Sequence, residues 1–155
     1  MNWNTLAQFL HILAVVVWIG GILFLDWILV PALRRALDDE AQRIRLLYRL
    51  FRDFFALVWG AGATLVLTGY GMVFLYGGFG ALRPAMWIMV GLGSTMVLLA
   101  LAIFFRPFLR MRAAVLRQDW PAAAAAAARI RLLSSLNIVL AVPTILSGVW
   151  AMFGG

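Results

Sequence analysis

The chain contains no cysteine and no lysine, a single histidine, and six acidic residues in 155. Absence of cysteine excludes disulfides, thiolate metal sites and thiol catalysis. Charged residues make up only 12% of the chain, too few to cover the surface of a soluble domain of this length. No catalytic triad, paired-carboxylate site, phosphate-binding loop or dinucleotide fingerprint is visible. Gly91-Leu92-Gly93 lies inside an apolar run and reads as helix packing, so no motif points to an enzyme.

What remains is apolar. Hydrophobic residues are 65% of the sequence and the mean hydropathy is +0.99. Four stretches approach or exceed the roughly 20 residues that cross a bilayer: 5–30, 54–76, 84–105 and 132–153. The predicted fold is an all-α integral membrane protein, a four-helix transmembrane bundle forming a single membrane domain over 1–155. The N-terminus carries no positive segment, and its first apolar stretch is too long for a signal-peptide core, so it reads as a retained span.

All thirteen basic residues are arginine, giving a net charge of +7. Twelve fall between spans one and two or between spans three and four; only Arg83 lies between spans two and three. That asymmetry predicts both arginine-rich connections inside and both termini outside. It assigns the arginines to topology and to contact with anionic lipid headgroups, not to nucleic acid.

The two halves echo each other. Arg43-Ile44-Arg45-Leu46-Leu47 returns as Arg129-Ile130-Arg131-Leu132-Leu133, Leu67-Thr68-Gly69 as Leu146-Ser147-Gly148, and Pro31 followed by arginines as Pro107 followed by arginines. Two tandem helical hairpins in parallel pseudo-repeat account for this; convergence of arginine flanks and small residues accounts for it too. Asp38-Asp39-Glu40 and Asp119-Trp120-Pro121 read as helix starts, the second leading into seven alanines. Gly77–Leu82 reads as a tight turn.

His11 sits inside the first span, and an ionisable group there is a candidate functional residue. Trp18 lies seven residues on, on the same helix face, and Gly20 and Gly21 would admit a close backbone. His11 is either a polar tie to a neighbouring helix, a ligand or redox residue, or a proton carrier. At its depth lie Thr68, Tyr70, Thr144 and Ser147, with Met72, Met86, Met89 and Met152. Imidazole with thioether suits Cu(I) and is an axial pair for haem iron, whereas methionine alone also fills apolar gaps. Asp26 near the inner end is expected to pair with Asn137, or with Arg49 or Arg52. It lies fifteen residues from His11, roughly 22 Å along a helix, too far for a two-group proton relay. Pro143 is expected to kink the fourth span.

The segment His11-x6-Trp18-x-Gly20-Gly21, the arginines after Pro31 and the Thr68-Gly69 ending of span two resemble the copper resistance protein D (CopD-like) membrane domain. The opening is similar, more distantly, to HemJ-type four-span protoporphyrinogen oxidases, which are associated with haem and use a first-span histidine. Those oxidases also rely on a third-span lysine, which this chain lacks, so their activity does not transfer. The resemblance implies a bacterial cytoplasmic (inner) membrane protein with periplasmic termini, binding copper or haem b through His11. A non-catalytic accessory or assembly subunit of a larger membrane complex, a homo-oligomer and a small transporter remain open beside it.

Overall fold

The structure, a computed structural model, describes residues 2–153. Four helices, each long and apolar enough to cross a membrane, make up nearly all of it: α1 (Trp3–Ala36), α2 (Glu40–Leu75), α3 (Pro84–Leu116) and α4 (Trp120–Phe153). No strand occurs among the described residues. A helix of 34 residues, as α1 and α4 are, is roughly 51 Å long at 1.5 Å per residue. The arginine-rich connections are therefore helical continuations of the apolar segments, with only short turns between them.

Local chemistry explains where the helices begin and end. Asn2 caps α1 by accepting from the Thr5 amide at 2.9 Å. Asp39 caps α2 through the Ala41 amide at 3.0 Å, and Asp119 caps α4 through the Ala122 amide at 3.1 Å, each satisfying an amide that the helix leaves unpaired. α2 closes with a Schellman arrangement at Gly77 (φ 103°), where Gly78 N–H reaches Val73 O and Gly77 N–H reaches Phe74 O. α3 closes the same way with Gln118 (φ 58°), through Asp119 N–H to Ala114 O and Gln118 N–H to Val115 O.

α1 and α3 each contain a short π-helical stretch, Phe24–Leu29 and Phe104–Phe108. A proline accompanies each, Pro31 and Pro107, and the wider turn relieves the clash between a proline ring and the preceding carbonyl. Pro143 behaves differently, because α4 stays α-helical through it. The carbonyl deprived of its donor there belongs to Val139, on an outward face that is 66% exposed.

Packing is densest within the hairpins α1–α2 and α3–α4. The half of the bundle near the two turns, here the arginine end, holds the larger core. Phe51, Phe55, Phe108, Met111 and Ile130 are buried there, and Ala123 and Ala127 offer a flat buried face for close approach. Phe55 stacks edge-on to Phe104 and tilted onto Phe108. Trp18, Ile22, Val58 and Ala61 form a smaller cluster toward the opposite, terminal end. The outward faces are apolar throughout the middle of the bundle, with Phe9, Leu67, Leu98 and Val142 among many exposed side chains, the pattern of a surface solvated by lipid.

The halves match in architecture but not in register. Asp39 and Asp119 occupy equivalent caps. Arg45 follows its cap by six residues and Arg131 by twelve, so the second Arg-Ile-Arg lies six residues, roughly 9 Å, deeper in its helix. The alanine run supplies the extra length.

Candidate functional site

A cavity of about 110 Å³ opens in the terminal half between all four helices, with His11, Trp18, Gly69, Tyr70, Met89 and Met96 on its walls. The single histidine is held there by the end of α2. Its Nδ1 lies 2.9 Å from Thr68 Oγ1, and a Cβ at Gly69 would come within 3.2 Å of its Cε1. Thr68 and Gly69 thus act as a seat, one as hydrogen-bond partner and the other by lacking a side chain.

The hydrogen-bond chain assigns the tautomer. Thr68 Oγ1 donates its one proton to Thr64 O at 2.6 Å, so it accepts from His11, and Nδ1 carries the hydrogen. Nε2 is then a free lone pair, the state in which histidine binds metals. A fixed outer hydrogen bond of this kind orients a ligating imidazole.

The other hydroxyls around the cavity are committed as well. Ser94 donates to Val90 O at 2.7 Å and therefore accepts from Tyr70 Oη at 2.9 Å. Thr144 donates to Leu140 O at 2.7 Å, with Met96 Sδ a weaker acceptor at 3.7 Å. Ser147 donates to Thr144 O at 2.8 Å. The walls are mainly apolar, with the His11 imidazole, the Tyr70 and Thr144 hydroxyls and the Met89 and Met96 thioethers among the side chains that line them.

The structure rearranges the expected methionine set. Met89 shares the cavity with His11, but Met86, Met72 and Met152 are not on its walls. Met152 is 55% exposed and receives Gln8 Nε2 at 3.4 Å. Met86, one turn from Met89 toward the start of the helix, lies outside the cavity lining, whereas Met96, seven residues on along the same face, is part of it. Met96 is therefore the second thioether, and its spacing from Met89 repeats that of His11 and Trp18 in α1. The repeat extends to the seats, because a Cβ at Gly148 would lie 3.2 Å from Met89 Sδ. Thr68-Gly69 holds His11 as Ser147-Gly148 meets Met89.

The glycine pair does not admit a backbone. Gly20 faces open space, and the position of a Gly21 Cβ is filled by the Phe54 ring of α2. Trp18 is 3% exposed and forms a wall of this cavity and of two others. One is an apolar groove of about 400 Å³ between α2 and α3, bordered by Trp59 and Phe104. The other is a cavity of about 20 Å³ toward the arginine end, lined by Asp26, Arg131, Ser134 and Asn137.

Asp26 pairs with neither of the arginines expected from the sequence. Arg52 binds its neighbour Asp53 in the open, and the partner of Asp26 is Arg131, with Nε 2.8 Å from Oδ1. The six-residue offset in α4 carries Arg131 down to Asp26, while its counterpart Arg45 stays near the turn and stacks on Trp120 at 4.8 Å. Pro31 adds a second tie. In the π-helical stretch the Val30 amide turns to Leu25 O, and Pro31 has no N–H, so Asp26 O lacks a main-chain donor. Arg131 Nη2 reaches it at 3.4 Å.

No family model, curated protein or solved structure matches this chain.

Proposed function

We propose that this is a multi-pass membrane protein that binds Cu(I) near its outer face through His11. The observation that carries this reading is the hydrogen-bond chain that leaves Nε2 as a free lone pair in a cavity shared with Met89 and Met96. Imidazole with thioether in an otherwise apolar pocket selects a soft cation. Such an ion, when bound, supplies one-electron chemistry or is itself the cargo.

Haem b is the alternative occupant, because imidazole with thioether is also an axial pair for haem iron. The CopD-like resemblance of His11-x6-Trp18-x-Gly20-Gly21 points the same way as the donor set.

The placement follows from charge. Twelve arginines at one end of the bundle and Arg83 at the other orient the chain with its two arginine-rich turns in the cytoplasm and its termini in the periplasm of a bacterial inner membrane. Arginines on the cytoplasmic extensions meet anionic headgroups there.

Purified protein loaded with Cu(I) tests the reading by metal analysis and visible spectroscopy. Expected are one copper per chain, loss in His11→Ala, weakening in Met89→Leu, and no change in Met152→Leu. Copper at background in wild type, or equal binding by His11→Ala, overturns it. A Soret band that depends on His11 would assign haem instead. Fixed-stoichiometry co-purification of a metal-free chain would assign the accessory role.

A further inference from the structure

The polar cluster around Asp26 contains more hydrogen-bonding capacity than the protein itself satisfies. Asp26 is 6% exposed and Asn137 only 1%. Asp26 Oδ1 is taken by Arg131, but Asp26 Oδ2 and Asn137 Oδ1 have no hydrogen-bonding partner within the protein. Burying an acceptor without a donor costs roughly 1–3 kcal/mol, so two on one wall call for an occupant. Both residues line the same cavity of about 20 Å³, together with Ser134 and Arg131.

Size and charge select that occupant. A cavity of about 10–15 Å³ on this measure holds one water, so about 20 Å³ admits one heavy atom and not two. A second cation is repelled by Arg131, whose charge Asp26 already balances at 2.8 Å. An anion meets a carboxylate and an amide oxygen. A neutral donor of one heavy atom satisfies all three conditions.

We propose that Asp26 and Asn137 form a binding site for a single internal water. It donates to Asp26 Oδ2 and to the Asn137 amide, and would complete a polar bridge from α1 to α4, between the two hairpins. It lies across Trp18 from the His11 cavity and is independent of metal binding.

Infrared difference spectra of the whole protein in bilayers, exchanged between H₂¹⁶O and H₂¹⁸O, test this directly. The expected result is an isotope-shifted O–H stretch from one strongly bound water in wild type. It should be retained in Asn137→Ser, which keeps a polar partner, and lost in Asn137→Leu, which fills the space with apolar volume. In Asn137→Leu the Asp26 carboxylate stretch should also shift. Absence of the ¹⁸O-sensitive band in wild type overturns the proposal without recourse to any variant. So does a protonated-carboxyl stretch from Asp26 at neutral pH without that band, which would mean a direct Asp26–Asn137 hydrogen bond. Retention of the band in Asn137→Leu also overturns it.

Discussion

Replacing Arg131 by methionine should be the most destabilising single change at any arginine of this chain. Asp26, 6% exposed on its side chain, would lose its counter-charge, and its main-chain carbonyl would lose the Nη2 donor that Pro31 makes necessary. Breaking a buried pair on one side costs about 3–5 kcal/mol, and the stranded carbonyl adds about 1 kcal/mol. Arg131 is 29% exposed on its side chain, so solvent screening pulls the total toward about 3 kcal/mol. Two comparisons isolate the cause. Arg52→Met breaks a pair exposed at 60% and 67% and should cost about 0–1 kcal/mol. The double variant Asp26→Leu, Arg131→Met removes both charges, leaves only the carbonyl, and should cost about 1 kcal/mol, less than Arg131→Met alone. Unfolding midpoints in mixed micelles measure all three. Equal midpoints for Arg131→Met and Arg52→Met, or a double variant no more stable than Arg131→Met, would refute the argument.

Thr68→Val removes the acceptor that fixes His11 Nδ1–H and should weaken Cu(I) binding about 10–100-fold while the chain stays folded, as read by competition with a Cu(I) chelator and by circular dichroism. Gly69→Ala places a methyl 3.2 Å from His11 Cε1 and should likewise lower copper affinity; unchanged affinity would mean that the ring has freedom that this packing denies it. Gly21→Ala drives a methyl into the Phe54 ring and should lower the thermal midpoint, whereas Gly20→Ala, facing open space, should leave it level or raise it through helix propensity.

The four helices were legible because length and hydropathy alone distinguish such segments, and the caps at Asp39 and Asp119 were legible from residue type. His11 was legible as a rarity in an apolar helix. Its partner Thr68 was only one of several hydroxyls at that depth, because the rotation of one helix about its axis relative to another is not written in either. Met96 carried a signal that periodicity would have exposed, the seven-residue step from Met89. Arg131 was hidden by treating it as the flank of a span beginning at 132. In a continuous α4 it is an interior residue twelve positions from its cap, and the matching letters of Arg43-Ile44-Arg45 disguised that difference in depth.

That offset also assigns different roles to the two halves. With equal register, both Arg-Ile-Arg segments would sit at the turns, and Asp26 would be a buried carboxylate without a counter-charge. The alanine run lengthens the stretch between the α4 cap and its Arg-Ile-Arg with the residue of best helix propensity and least side-chain bulk. It thereby moves one arginine roughly 9 Å inward and packs Ala123 and Ala127 into the core. At the terminal end the register difference is small, and the pseudo-equivalent seats Thr68-Gly69 and Ser147-Gly148 receive unlike residues, His11 and Met89. The two seats keep their glycines but differ in what rests on them, which places one imidazole and one thioether at the interface of the halves. A strictly symmetric bundle would offer two imidazoles or two thioethers. On the proposed reading, this asymmetry, more than the echo between the halves, would suit the site to a soft cation.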